Sequence, residues 1–358
     1  MTPPRLVIVV SGFPRRSETF ALSELAALER DGMLAAIFST KPGEEGPCQP
    51  AAERLQERVR LLSGDTVATQ AADAARQLAG VPVNGVHGYF AHTPAAVAAS
   101  LARRLGVPFG FSAHARDARK VPRRELHERA GRASCVIACN PDVAREFEGS
   151  DANLSLVPHG VDLKRFAPRH KAASSRFTML AVGRLVEKKG LHVLVDAVSR
   201  LHFAWRLRIV GEGPERDRLA AQVQAAGIAD RVTFCGALTH DALPLEYERA
   251  DVVVVPSICD ATGDRDGLPN VVLEAMAAGA AIVASDTGAI ASAVHDADSG
   301  VLVRAGDAHA LARALDALAR DPDRRRQLGA AARTVVERQF DEGRCTERLS
   351  AVLRDAYG

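Results

Sequence analysis

Paired cysteines, long apolar runs and an excess of either charge are all missing from this sequence of 358 residues. The six cysteines, Cys48, Cys135, Cys139, Cys235, Cys259 and Cys345, never stand as C-x-x-C, which excludes a zinc knuckle or a thioredoxin-like motif and points to a reducing, cytoplasmic setting. The first apolar stretch, Leu6 to Val10, gives way at once to Ser11, Gly12 and Pro14, too soon for a signal peptide. No other run approaches the roughly 18 residues of a bilayer helix, so any membrane contact is expected from the surface. Forty-six Lys and Arg against 44 Asp and Glu leave a formal charge of +2, which gives no reason to expect a nucleic-acid partner. A hydrophobic fraction of 47% with 25% charged residues excludes disorder, and the length suits two domains.

Short runs rich in β-branched residues alternate with stretches of helical period, which predicts an α/β chain of doubly wound parallel sheets covered by helices on both faces. In the first half, strands are expected at 6–10, 35–39, 85–87, 109–112, 135–138 and 154–157. Ser17 can cap a helix carrying Phe20, Leu22, Leu25 and Leu28, ended near Gly32, and 94–105 is a second helix. The polar stretch 169–175 lacks any period and reads as a linker. Beyond it strands are expected at 177–182, 206–210, 232–235, 252–256, 281–285 and 300–303. Helices fall between them at 191–201, 216–226, 243–249, 270–278 and 308–318. The expected organisation is therefore a first domain over 1–168, a second over 176–339, and a final helical segment over 340–358. Two such sheets facing across a cleft would bind ligands beyond the carboxyl ends of their strands.

The segment Asp266-Gly267-Leu268-Pro269-Asn270 leads from a loop into a helix, and Pro269 suits the first helical position. Free backbone N–H groups there, with the helix dipole, make an anion site sized for a phosphate. Glu274, one turn further on, offers two oxygens to a vicinal diol such as that of a ribose; an ordinary capped helix with a surface carboxylate is the plain alternative. In the strand-to-helix loop 182–190, Arg184 brings a planar fork and Lys189 a point charge, a pair suited to a pyrophosphate whose charge grows as its bond to a sugar breaks. Gly211 and Gly213 begin a dinucleotide fingerprint, but Arg216 stands where the third glycine belongs, so a nicotinamide site is not expected. Gly12 and His114 each follow a strand of the first half, where the glycine could admit a phosphate or sugar and the histidine could bond a sugar hydroxyl.

In chain order the sequence shows Gly12-Phe13-Pro14, Ser17-Glu18-Thr19-Phe20, His114-Ala115-Arg116-Asp117 and Pro158-His159-Gly160-Val161-Asp162 with Phe166. Residues 182–190, Gly211-Glu212-Gly213-Pro214 and residues 266–274 with Met276, Gly279 and Ser285 complete the series. This ordered set resembles glycosyltransferase family 4, retaining enzymes of the GT-B fold that move a sugar from a nucleotide diphosphate to an acceptor. The Phe-Pro-x-x-Ser-Glu-Thr-Phe opening is similar to members that build exopolysaccharide and capsule repeats. The resemblance implies that Arg184 and Lys189 hold the diphosphate and Glu274 the ribose. It also implies that the backbone of Gly267, Leu268, Pro269 and Asn270 holds the distal phosphate and sugar, that His114 and Asp266 touch the transferred sugar, and that 210–213 and 234–238 lie near the base. The final segment, with Leu349, Val352, Leu353 and Ala356 at helical spacing, is expected to pack back on the first domain.

Asp266 stands where the family usually has glutamate, keeping the carboxylate on a side chain shorter by about one C–C bond. Asp264-Arg265-Asp266 spells the D-x-D of metal-dependent transferases; with Arg184 and Lys189 supplying positive charge, neither a metal nor another cofactor is expected beside the nucleotide-sugar co-substrate. The acceptor is expected to be a saccharide, lipid-linked or a small molecule. Arg116, Arg119, Lys120, Arg123 and Arg124, relieved only by Asp117, point to an anionic membrane surface, against the plain reading of a solvated helix face. The same contacts would also suit a sugar-nucleotide epimerase, a phosphorylase, or a non-catalytic nucleotide-binding partner subunit.

Overall fold

The computed structural model describes residues 2–15, 18–44, 50–168 and 176–358. Ser17, Cys48 and the linker at 169–175 lie outside the described residues. The chain forms two units, one running to Gly160 and taking back 342–358, the other spanning Val161–Asp341.

Among the described residues the first unit has seven strands: β1 (Leu6–Val10), β2 (Leu34–Ser39), β3 (Val59–Leu61), β4 (Gly85–Gly88), β5 (Phe109–Ala113), β6 (Val136–Ala138) and β7 (Leu154–Leu156). They pair in parallel in the order β3-β2-β1-β4-β5-β6-β7. The second unit has six: β8 (Phe177–Val182), β9 (Trp205–Val210), β10 (Val232–Gly236), β11 (Val252–Val255), β12 (Ala281–Asp286) and β13 (Val301–Arg304). These are also parallel, in the order β10-β9-β8-β11-β12-β13. Both orders reverse direction at one point, β1/β4 in the first sheet and β8/β11 in the second, and a crevice opens at the carboxyl ends of such strand pairs.

Burial on both faces explains the unbroken apolar runs. In β11, Val252 and Val254 join the core on one side while Val253 and Val255 join the core on the other. The first sheet is sandwiched the same way, with Leu6, Ile8 and Val10 on one face and Val7 and Val9 on the opposite one.

Three differences from the expected organisation have physical causes. Residues 50–77 hold helices Pro50–Gln56 and Val67–Gln77 around β3, a three-residue edge strand interrupted by Arg60, too short and polar to show as an apolar run. Helix Pro322–Gln339 has only Leu328, Gly329, Ala332 and Val336 buried, so its arginine-rich remainder hides the period. The boundary falls at 160, not 168: Phe166 is buried against Tyr247 and His240, and Val161 N donates to Phe340 O at 2.8 Å, so 161–168 pack with the second unit. The last helix, Glu342–Tyr357, belongs to the first unit, where Leu349, Leu353 and Tyr357 enter the core beside helix Thr19–Arg30.

Candidate active site

In the second unit the functional loops gather at the carboxyl ends of β8 and β11. The turn Glu187–Lys189 ends at Gly190, whose φ of +61° is left-handed and whose absent Cβ would stand 1.9 Å from the Pro256 carbonyl oxygen. Ile258 N donates to Lys188 O at 2.8 Å. Only glycine lets the two lysines lie so close to the end of β11. Lys189 Nζ donates to Asp266 Oδ2 at 2.8 Å, and Ser257 Oγ, fully buried just past β11, donates to the same oxygen at 2.8 Å. Lys188 Nζ, itself buried, lies 3.1 Å from Asp264 and 3.6 Å from Asp266. Burial by itself would raise the Asp266 pKa, but the ammoniums of Lys189 and Lys188 and the Ser257 hydroxyl outweigh it and hold the carboxyl below its ordinary value. Both carboxylates of the D-x-D triplet thus face a lysine.

Arg184 is exposed and makes no side-chain hydrogen bond or ion pair with a described residue, so its fork is available to a ligand. Gly211 and Gly213 lie against the neighbouring loop. A Cβ on Gly211 would meet Gly183 O at 1.9 Å and one on Gly213 would meet Leu185 O at 2.3 Å, so these glycines seat the loop after β9 against the Arg184 loop. Helix Asn270–Ala277 begins at the expected residue, but Pro269 is its N-cap in extended conformation rather than its first helical residue. Glu274 is buried, with Oε2 accepting the Tyr247 hydroxyl at 2.7 Å and Oε1 3.5 Å from His240 Nε2. Its oxygens are therefore not both free.

The first unit holds Gly12 and His114. At Gly12 a Cβ would meet Pro42 O at 2.7 Å, so the close approach of the chain there needs glycine. His114 is buried within rings: Phe90 at 4.9 Å, Phe20 at 5.0 Å and His159, stacked, at 5.1 Å. Neither ring nitrogen of His114 has a hydrogen-bond partner among the described residues, although Nδ1 lies 3.5 Å from Asp117. His159 Nδ1 bonds Glu24 Oε1 at 2.6 Å. The basic cluster is less bare than its sequence: Arg119 pairs with Asp142 and Glu146, and Arg124 with Glu128. Around it a hollow of about 420 Å³ is lined by Arg119, Lys120, Pro122, Arg123 and Glu146.

Residues 17–165 match the family described as Glycosyltransferase Family 4, and residues 164–335 the one described as Glycosyl transferases group 1. The chain carries a glycosyltransferase family 4 domain followed by a glycosyl transferases group 1 domain. Among the relatives of this chain is WcaL of Escherichia coli, a protein named for colanic acid biosynthesis, 34% identical over 206 residues that cover 56% of this chain and 51% of the relative. A GDP-mannose-dependent phosphatidylinositol monomannoside mannosyltransferase of Mycobacterium tuberculosis is 34% identical over 219 residues, covering 58% of this chain and 57% of the relative. The chain spans about half the length of the curated relatives it matches. Its fold is that of HepE from Anabaena, solved with UDP, at a TM-score of 0.82 and 19% identity over 98% of this chain and all of that one. Sucrose-phosphate synthase of Thermosynechococcus elongatus gives 0.82 at 23% identity, covering 98% of each chain. These are GT-B structures, and the two doubly wound sheets here have that architecture.

Lys188, Ser257, Tyr247 and His240 were not singled out by sequence reasoning. For Ser257 a signal existed, a polar residue two positions past the apolar run of β11. Tyr247 and His240 had none, because they reach Glu274 only through the folding of distant segments.

Proposed function

We propose that this chain transfers a sugar, with retention of configuration and without a metal, from a nucleotide-diphosphate sugar to a saccharide, lipid-linked or small-molecule acceptor in polysaccharide or glycoconjugate biosynthesis. The observation that carries this reading is the Lys189–Asp266–Ser257 group at the ends of β8 and β11, with the exposed Arg184 in the same loop, next to Gly183, which lies against the Lys189 side chain. Lys189 has three donors and spends one on Asp266, so it can link a sugar-binding carboxylate to a departing phosphate. Asp266 offsets part of that charge, and Arg184 restores it where the leaving diphosphate becomes more negative.

In this reading the anomeric carbon–oxygen bond to the diphosphate breaks with its electron pair going to the phosphate oxygen. The acceptor oxygen bonds the carbon from the same face, and its proton passes to that phosphate oxygen. Glu274 takes the ribose, and the backbone of 267–270 takes the distal phosphate and sugar. The unpartnered ring nitrogens of His114 support a role for it toward a sugar hydroxyl. Metal independence is supported by the lysines already set against Asp264 and Asp266. Relatives named for colanic acid and for GDP-mannose-dependent transfer, with a fold neighbour holding UDP, support the donor class.

The test is to follow turnover by proton NMR with a panel of nucleotide sugars and acceptors, in the presence of a chelator. A retained product anomer is expected. An inverted anomer, donor consumed without acceptor, or turnover lost to chelator and regained with Mg2+ or Mn2+ would overturn the corresponding part of the reading.

A further inference from the structure

Glu274 is the ribose-directed carboxylate of the reading above, and the inference here rests on that reading. Its surroundings are more ordered than a ribose contact by itself requires. The guanidinium of Arg165 donates to His240 Nδ1. A guanidinium has no acceptor, so Nδ1 carries the lone pair and the proton of the neutral ring is on Nε2, the nitrogen 3.5 Å from Glu274 Oε1. On the other side the Tyr247 hydroxyl donates to Oε2 at 2.7 Å. Burial first, and then the Glu274 carboxylate, push the Tyr247 phenol well above its ordinary pKa, which keeps the hydroxyl a donor at any working pH. Phe166 meets both rings edge-on, the His240 ring at 5.3 Å and 73° and the Tyr247 ring at 5.7 Å and 81°, and so limits how either can turn.

We infer that Arg165, His240 and Tyr247 are positioning residues that act through Glu274: the Tyr247 hydroxyl bonded to Oε2 and the His240 Nε2 facing Oε1 at 3.5 Å set the carboxylate so that its remaining lone pairs meet the vicinal diol of a nucleotide ribose. A carboxylate accepts at about four sites; Tyr247 takes one and His240 faces another, which leaves roughly two, the number a 2′,3′-diol needs. A purely structural core site would not need these polar groups, since burying a hydroxyl and a carboxylate together is rarely more stable than burying two apolar side chains of that size. The segment that supplies Arg165 and Phe166 follows Val161-Asp162, which gives these residues a use the motif by itself does not reveal.

The experiment is calorimetric titration of the full chain with UDP, GDP and ADP, followed by the tightest of these against its 2′,3′-dideoxy form, with inorganic pyrophosphate as reference. The wild type should favour the ribose form about tenfold or more. In Tyr247→Phe and His240→Gln that preference should fall towards one, while pyrophosphate binds as in the wild type. A wild-type preference that both variants keep within about twofold overturns the inference and leaves the proposed function standing. Equal loss of ribose, dideoxy and pyrophosphate binding in both variants makes the relay merely structural and also overturns it. A wild type with no ribose preference, or with no affinity for any nucleoside diphosphate, refutes the role of Glu274 itself and with it the reading on which this inference rests.

Discussion

Tyr357, the last residue of the C-terminal helix, is the anchor by which that helix should stabilise the first unit. Its ring fills a slot left by two glycines: a Cβ on Gly85 would stand 2.1 Å from the ring, and one on Gly110 would stand 2.6 Å from the hydroxyl. The hydroxyl bonds His87 Nδ1 at 3.0 Å, and His87 Nε2 in turn meets Ser112 Oγ at 2.9 Å. Burial lowers the His87 pKa to about 3, so the ring is neutral and its hydrogen bonds need no counter-charge. Tyr357→Ala deletes a buried aromatic ring, which typically costs about 3–5 kcal/mol. For a unit of this size, that is a fall of roughly 6–20 °C in its melting temperature. Tyr357→Phe keeps the ring but leaves His87 Nδ1 short of a partner, at about 1–3 kcal/mol. Gly85→Ala should also destabilise, by overpacking worth about 1–3 kcal/mol.

The decisive measurement is the double-mutant cycle. Because the three atoms nearest a Cβ on Gly85 all belong to the Tyr357 ring, Gly85→Ala should be tolerated far better once that ring is gone. Scanning calorimetry of the four chains should therefore show strong coupling, with the double variant more stable than the sum of the singles predicts by about 1 kcal/mol or more. Additivity within about 0.5 kcal/mol, or a Tyr357→Ala chain melting within roughly 2 °C of the wild type, would refute the reasoning.

Other expectations follow from the charged groups. Arg184→Ala combined with Lys189→Ala should lower kcat/KM by about 10²-fold or more while the chain still melts cooperatively; undiminished efficiency would remove the electrostatic basis of the proposed function. Burial would lower the pKa of His159, but the Glu24 carboxylate prevails and holds it raised from 6.5 to about 10. Between those values the folded ring keeps a proton that the unfolded chain loses, so stability should be complete below 6.5 and decline as pH rises towards 10. Glu24→Gln should flatten that slope in melts run at a series of pH values, and an unchanged slope would contradict it. In vesicle sedimentation the hollow beside Lys120 and Arg123 should draw the chain to anionic rather than neutral lipid, and Lys120→Glu with Arg123→Glu should abolish the difference. Equal sedimentation of wild type and variant would leave the cluster a solvated face.

The alternation of apolar runs and helical periods determined the two-sheet class of this protein, because strands buried on both faces must be continuously hydrophobic. β1, β8 and β11 are legible for that reason. The residues of the candidate site were legible as far as local chemistry reaches: a guanidinium and an ammonium in one loop, and carboxylates before and within one helix. What no local pattern carries is which groups meet. Lys189 and Asp266 are 77 positions apart, Tyr247 and Glu274 are 27 apart, and both contacts exist only because crossovers bring distant loops to the same strand ends. Tertiary structure likewise decided that Gly12, Gly211 and Gly213 let distant backbone segments come close, and that residues 161–168 belong with the second unit. A glycine or a lone phenylalanine looks the same in sequence whatever will fill the space beside it; only the folded neighbours decide its use.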